Sequence, residues 1–287
     1  MPHLVLESAV HGSISLNDLV DTRHGVQARP GVTGLGLPPV DVKWRDGAGN
    51  GAQFRSRRVL PRDIDIPIYV SAANRAALKA QLATLAGALS DEVALRLVED
   101  DGSSWSVRAH RVGGFDYVYG RDTDGIGDLF TVLTLRAGDP FWESGQETRI
   151  LIQGGSGGAG LLNGSLVNLN LSTAQTIGNI VIENPGDADC YPTWLVTGPC
   201  TSFIATNEAG ESFAWNGTLT AGQTLTVNTR DASVKDHTGA NRYANLAPAP
   251  RLWKLPPGTT PAVVDLDGAT AASSVLLTFR PRRWQVI

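Results

Sequence analysis

The sequence is poor in several residues that mark particular classes of protein. It has two cysteines and one methionine among 287 residues, and aromatic residues make up 7%. No apolar run approaches the ~20 residues that a membrane-spanning helix needs. We therefore expect no disulfide-rich scaffold and no helical insertion into a membrane. The net charge is only −4, so bulk electrostatics do not predict binding to nucleic acid.

The two cysteines, Cys190 and Cys200, are expected to be free and buried. They flank a strand-like segment, and an extended segment holds its ends much further apart than the ~7 Å that a disulfide allows between Cα atoms. A sharp fold at Pro192 is the alternative that would bring them together. The first residues, MPHLVLESAVHG, lack the basic start and apolar core of a secretion signal. We expect synthesis in a reducing cytoplasm.

Catalytic motifs are also lacking. The sequence contains no G-x-S-x-G, H-E-x-x-H, P-loop or C-x-x-C pattern, and its histidines are scattered. A turn with Asp122, Asp124 and Asp128 resembles a calcium loop, but Leu133 stands where a bidentate Glu is needed, which favours a polar hairpin tip. We expect no enzymatic activity, no cofactor and no metal site.

What the sequence has in quantity is glycine, 32 residues, with 16 prolines and 42% apolar residues, a composition typical of many short strands joined by turns. Residues 71–89 form the exception. Four leucines there lie at helical spacing on one stripe, and Ser71 is the expected cap. The sequence predicts an α+β domain at 1–142, a β-sandwich with one helix and a long hairpin. A glycine-rich connector at 143–160 and an all-β sandwich at 161–287 follow.

Residues 129–142, LFTVLTLRAGDPFW, are the centre of this organisation. An apolar strand ends abruptly where Pro140 removes a ladder donor, and two large aromatic residues follow. We interpret this stretch as the last strand of the first domain. The predicted joint between the domains consists of Asp139, Pro140, Phe141 and Trp142.

Residues 25–63 have glycine and proline at close intervals, and only 40–44 suggest a strand. A long irregular loop in a compact domain is usually functional or disordered. Its end is basic. These arginines could form a solvated face that pairs with local aspartates, or they could contact an acidic neighbouring molecule. A contact to nucleic acid is a third alternative, which the small number of nearby aromatic residues disfavours. We predict a subunit interface that contains Trp44, Arg55, Arg57, Arg58 and Arg62.

The tryptophans of the second half offer another possible site. Most tryptophans in strands belong to a core, but an exposed ring can stack on a sugar. Trp215 and Trp253 are therefore candidates for glycan stacking, with burial in the core as the alternative.

The order of four stretches resembles the distal tail proteins of long-tailed bacteriophages, the siphovirus tail-component family. The stretches are GLGLPPVDVKWRDGAGNGAQFRSRRVLPRDIDIPIYV, the leucine-striped helix with its hairpin, LTLRAGDPFW, and a β half that runs from IENPGDADCYPTWLVTGPC through GQTLTVNTRDASVKDHTGANRYANL to LWKLPPGTT. The glycine run 154–160 and the two cysteines do not map to the family pattern.

The resemblance implies a structural virion protein at the tail tip, made in the host bacterial cytoplasm. Its first domain would form a homo-hexameric ring with a lumen through which DNA passes. A galectin-like second domain would support tip proteins. Implied partners are the tail tube, tape measure and tail-associated proteins. A glycan-binding module that recognises cell-wall saccharide is the alternative function.

Overall fold

The computed structural model describes residues 2–17, 23–118, 127–153 and 171–286, with only the backbone described at 171–176. It divides into two compact units. The first consists of residues 1–145 together with 283–287, and the second of residues 146–282. Strands dominate both units, and the described residues contain one α-helix. The prediction of a largely β chain with one helix is confirmed, whereas the galectin-like character of the second unit stays a prediction.

The first unit is built on one large sheet with the strand order β2-β1-β7-β8-β9-β6-β3, and β10 pairs with β8. A separate sheet contains only β4 and β5. The strands are β1 (His3–Ser8), β2 (Gly12–Ser15), β3 (Gly25–Ala28), β4 (Val40–Asp46), β5 (Ala52–Val59), β6 (Arg62–Ser71), β7 (Val93–Val98), β8 (Ser104–Gly114), β9 (Asp128–Ala137) and β10 (Trp142–Ser144).

Strand β6 shows how the sequence pattern produces this sheet. Ile64, Ile66, Ile68 and Val70 are fully buried, and the residues between them face away from the core. This is the period of two that a half-buried strand requires. Strand β9 pairs with β6 along its whole length and with β8 on its other side, so it is a central strand of the sheet.

The predicted helix is present as α1 (Arg75–Ala88), but its start differs from the prediction. Ser71 ends β6, and the cap is Asn74, whose side-chain oxygen accepts a hydrogen bond from the backbone N–H of Ala77 at 2.9 Å. The leucine stripe faces the core as expected, with Leu85 buried and Leu82 only partly so. At 14 residues, α1 is too short to cross a bilayer, and no other helix in the described ranges could do so.

The interpretation of 25–63 as an irregular loop is wrong. Besides a short β3, this segment contains the antiparallel hairpin β4–β5, in which Val40 pairs with Val59 and Asp46 with Ala52. The second strand escaped prediction because its sequence, AQFRSRRV, has polar or basic residues at most positions and shows no alternation.

The second unit consists of two sheets that share one apolar core. Their strand orders are β12-β11-β20-β14-β17-β18 and β13-β19-β15-β16. The strands are β11 (Thr148–Gln153), β12 (Leu171–Thr176), β13 (Gly178–Asn184), β14 (Thr193–Thr197), β15 (Cys200–Asn207), β16 (Ser212–Leu219), β17 (Thr224–Asn228), β18 (Ser233–Asp236), β19 (Gly258–Asp267) and β20 (Ser274–Phe279). The short β21 (Arg282–Arg283) follows in sequence and belongs to the large sheet of the first unit through its pairing with β10.

The unit boundary at 145/146 lies three residues beyond the predicted end of the first domain. Part of the predicted connector 143–160 is strand, because β11 occupies Thr148–Gln153. The glycine run 154–160 lies outside the described residues. Residues 283–287 belong to the first unit, although the sequence analysis assigned them to the second domain.

The helix leucines give a direct test of this packing. Replacement of the buried Leu85 by Ala should lower the free energy of unfolding of the first unit by about 2–5 kcal/mol, because the lost methylenes leave a cavity in a closed core. Replacement of the partly buried Leu82 should cost clearly less. Urea unfolding followed by fluorescence would measure both, and equal costs would contradict the orientation of α1.

Candidate functional site

Two large aromatic side chains of the β4–β5 hairpin are exposed. Opposite residues of an antiparallel pair share one face of the ribbon. By this rule Val40, Val42 and Trp44 of β4 lie on the same face as Val59, Arg57 and Phe54 of β5. Trp44 is 60% exposed and Phe54 is 58% exposed. Their rings contact each other edge to face, with centroids 5.9 Å apart.

The other face of the hairpin is charged. Arg58 lies opposite Asp41 on this face, which also contains Lys43. Lys43 pairs with Asp41 at 3.2 Å. Arg55 is the extra residue of a bulge, because Lys43 pairs with Ser56 and Trp44 with Phe54. The hairpin therefore has one largely apolar face, which also contains Arg57, and one charged face, and most residues of both are exposed.

The foot of the hairpin is attached to the rest of the first unit. The N–H of Leu60 donates a hydrogen bond to the carbonyl of Pro39 at 2.9 Å, which closes the two strands at their base. The guanidinium of Arg57 lies over the ring of Trp284, 5.7 Å from its centroid. A two-stranded hairpin alone is marginally stable in water, so these anchors matter to its position.

Arg62 requires a correction, because it is not part of an exposed basic surface. Its side chain is 1% exposed and lies inside the first unit. Nε donates to the carbonyl of Pro140 at 2.8 Å, Nη1 to those of Gly34 and Gly36 at 2.6 and 2.7 Å, and Nη2 to that of Trp284 at 2.6 Å. A residue held in this way cannot bind a neighbouring molecule.

The guanidinium of Arg62 stays charged at neutral pH. Burial lowers its pKa from 12.5 to about 10, which is still far above the working range of the protein. The four carbonyl oxygens supply the partial negative charge that would otherwise come from a carboxylate. The ring of Trp142, 5.5 Å from the guanidinium carbon, covers it further.

The four residues predicted as an interdomain joint all belong to the first unit. Trp142 is fully buried in its core, and Pro140 provides a carbonyl to Arg62. The ring of Phe141 contacts Trp284 edge to face at 4.8 Å, and its N–H donates to the Asp139 side chain at 3.4 Å. Their function as a joint between the domains stays a prediction.

A second exposed apolar group lies on the large sheet of the same unit. Phe130 and Val132 of β9 are 45% and 39% exposed, and Val112 of β8 is 50% exposed. The apolar strand predicted within 129–142 thus buries one of its faces and exposes the other. Two different apolar surfaces on one unit are what a head-to-tail contact between copies needs.

The candidates for glycan stacking are also corrected. Trp215 and Trp253 are both buried in the core of the second unit. The indole N–H of Trp253 donates to the carbonyl of Ala205 at 3.1 Å, and its ring packs against Trp194. Neither ring has a free face for a sugar, so the alternative of burial in the core is right for both.

No cluster of metal-ligating side chains is present in the part of the chain that the structure describes. No group of three or more His, Cys, Asp or Glu side chains converges there. The turn considered as a calcium loop lies largely outside the described residues, which omit 119–126.

The comparison with known proteins was made at the level of sequence and of fold. No family model matches the chain, and no curated protein matches it. Solved structures do. The Dit protein of phage SPP1, a hub of the adsorption apparatus in phages that infect Gram-positive bacteria, superposes with a TM-score of 0.67 over 97% of this chain and 98% of its own, at 14% identity. This chain has the fold of a phage distal tail protein.

A second neighbour is a chain of the phage P2 baseplate in its activated conformation. It superposes with a TM-score of 0.59 over 100% of both chains, at 10% identity. Both matches run through the two units of the chain. The resemblance stated from the sequence is therefore confirmed at the level of the fold, although few residues are identical.

Sequence reasoning selected Trp44, which the structure shows exposed, but missed Phe54 and Trp284. The interface predicted for Trp44 stays a prediction. Phe54 is recognised only once β5 is paired with β4. Trp284 could not be found from its sequence neighbours, because its partner Arg57 is more than two hundred residues earlier in the chain.

Arg62 supports a stability prediction. Lysine at this position has one ammonium group and cannot reach four carbonyls arranged around a planar fork. Arg62→Lys should therefore lower the free energy of unfolding by about 2–4 kcal/mol. The exposed Arg58→Lys is the matched control and should stay within about 0.5 kcal/mol of the parent. Urea unfolding at low protein concentration measures both, and a silent Arg62→Lys would disprove the buried network.

The cysteines support a pH prediction. Both are free and buried, as expected. Burial raises the pKa of Cys190 from 9.0 to about 11 and also raises that of Cys200. Because folding disfavours the thiolate, the stability linked to the neutral thiol is complete below pH 9 and lost as the pH rises towards 11.

Urea unfolding between pH 8 and 11 should show a fall of about 1–3 kcal/mol that is smaller in the Cys190→Ala variant. A thiol reagent at pH 8 should label either cysteine only after unfolding. Rapid labelling of the folded protein would contradict the burial of these thiols.

Proposed function

We propose that this chain is a structural protein of a phage tail tip, a hub that joins the tail tube to the adsorption apparatus. The observation that carries the proposal is the exposed apolar face of the β4–β5 hairpin, on a chain with the distal tail fold. Trp44 and Phe54 leave most of their surface in water. Large exposed rings on a projecting ribbon are typical of a surface that another molecule covers.

The proposed partner of the hairpin is a second copy of this chain. The hairpin and the outer face of β9 around Phe130 are different apolar surfaces on one unit. A contact between unlike surfaces repeats from copy to copy and closes into a ring when the rotation permits. The finer proposal is a homo-hexamer whose lumen passes DNA, as the family resemblance implies.

The arginines of the hairpin have separate functions in this proposal. Arg55 and Arg58 point to solvent and are available for acidic groups of the neighbouring copy. Arg57 holds the hairpin to its own subunit through Trp284. The proposed contact set is therefore Trp44, Phe54, Arg55 and Arg58, without Arg62.

The second unit is proposed to support tip proteins at its surface. Tail tube, tape measure and tail-associated proteins are the proposed partners of the assembled ring. The tail tip of the virion is the proposed location.

Negative-stain imaging of the purified protein tests the ring directly. Rings with a central hole are expected, and native mass spectrometry should give the number of copies. A protein that stays monomeric at high concentration, alone and with tail tube protein, would disprove the proposal.

A double variant tests the hairpin surface. Trp44→Ser with Phe54→Ser should weaken assembly more than about tenfold, because buried aromatic residues at the centre of an interface each contribute ~2 kcal/mol or more. Val10→Ser is the control, since Val10 is even more exposed, at 78%, but lies at a different turn. Native mass spectrometry across a concentration series measures both. Equal assembly of the double variant and the control would contradict the hairpin interface.

A deletion is a second test. Removal of 31–56 would also remove Gly34 and Gly36, whose carbonyls bind Arg62. Replacement of 41–58 by a short Gly-Ser turn is cleaner, because Pro39 and Leu60 are already joined by a hydrogen bond. This variant should be a soluble monomer with an intact core.

A further inference from the structure

The return of residues 283–286 to the first unit brings them to the foot of the hairpin. The N–H of Val286 donates to the carbonyl of Leu35 at 3.3 Å, and its side chain is buried in the first core. Leu35 lies in the segment that leads into β4. Residues that follow the second unit in sequence are thus built into the base of a surface element of the first.

Trp284 contacts the hairpin itself. One side of the contact is Arg57 on β5, whose guanidinium lies 5.7 Å from the ring centroid. The other is Phe141, whose ring meets that of Trp284 at 4.8 Å with an interplanar angle of 71°. Trp284 is therefore packed between a hairpin side chain and the residue that precedes β10.

Arg62 connects this contact to the other side of the hairpin foot. Its guanidinium binds the carbonyl of Trp284 and the carbonyls of Gly34 and Gly36. Gly34 has a φ of +85°, and a Cβ there would collide with the carbonyl oxygen of Asp63. Residues 34–36, which precede β4, are thus joined to the returning segment through Arg62, and β5 contacts it through Arg57.

We propose that residues 283–286 are a latch that sets the hairpin in its position. Trp284 is the positioning residue for β5 through Arg57, and the Trp284 carbonyl positions residues 34–36 through Arg62. The hairpin has no other sheet partner in the described chain, since β4 and β5 pair only with each other. Without the latch, the base of the hairpin loses its contacts to Trp284, and the two strands can change their orientation relative to the large sheet.

The latch makes assembly depend on residues that are translated after the whole second unit. A chain that stops before residue 283 has all the strands of the first unit's large sheet except the short β21. It lacks the segment that holds the hairpin. Such an incomplete chain would fold without presenting the hairpin correctly, and would stay out of the ring. This last step rests on the proposed function of the hairpin.

Hydrogen exchange on the full-length protein tests the latch separately from assembly. Trp284→Ala should raise the exchange rates of amides in 40–46 and 52–59 about tenfold, because a ring pair and a cation–π contact are lost together. Amides of β1 and β7 should be unchanged. Trp284→Phe keeps a ring at this position and should restore most of the protection.

Arg29→Ala is the matched control. Arg29 also makes a cation–π contact in the first unit, over the ring of Tyr69 at 5.1 Å, and it lies outside both the latch and the hairpin. It should leave hairpin exchange unchanged. Arg57→Ala removes the same contact as Trp284→Ala from the hairpin side, and should reproduce its effect even where Trp284→Ala fails to fold.

The outcomes separate the two proposals. Unchanged hairpin exchange in both Trp284→Ala and Arg57→Ala would overturn the latch, whatever the parent assembles into. Raised exchange with undiminished assembly in native mass spectrometry would overturn the link from latch to ring. Raised exchange with at least tenfold weaker assembly supports both. A parent protein that never assembles would contradict the proposed function and leave the exchange experiment to decide the latch.

Discussion

A buried guanidinium without a carboxylate constrains the first unit more than any other single interaction. Removal of a cation from water costs several kcal/mol unless its N–H groups find acceptors. Arg62 finds them in the main-chain carbonyls of three separate segments, at Gly34 and Gly36, at Pro140 and at Trp284. Main-chain acceptors cannot move without their segments. The buried charge therefore holds three backbone segments in one arrangement. One of them, residues 34–36, leads into the hairpin.

The hairpin exposes apolar side chains of the kind that the core of the first unit buries. A ribbon of two strands has two faces and no core of its own, so its stability must come from contacts at its foot or from a partner. The foot contacts are Arg57 on Trp284 and the bond from Leu60 to Pro39. The apolar face beyond the foot stays in water. A surface of this kind is costly in an isolated chain and useful in an assembly.

The second unit buries its tryptophans and phenylalanines in its core. Trp194 contacts Phe203, Phe213 and Trp253, with ring centroids 5.4 to 6.1 Å apart. Edge-to-face pairs of this kind stabilise a core beyond the area they bury. Buried rings leave no platform for a planar ligand, which is why tryptophan content alone was a poor guide to a sugar site. Tryptophan is thus exposed at Trp44 of the first unit and buried in the core at Trp194, Trp215 and Trp253 of the second.

Local patterns in the sequence were sufficient for the regular elements. The alternation in β6 and the leucine spacing in α1 depend only on neighbours along the chain, and both predictions hold. The order of motifs was sufficient for the fold family, although identity with the solved distal tail proteins is 10–14%. The charged residues were not predictable in this way, since an arginine in a basic run has the same local context whether it is exposed or buried.

Only the tertiary structure separated Arg62 from Arg58 and joined residues 283–286 to the first unit. The acceptors of Arg62 lie 26 to 222 residues away in sequence. Periodicity and turn signals act over a few residues and carry no information at that range. Burial is a property of the assembled chain, and so are the exposed face of the hairpin and the segment that holds its foot.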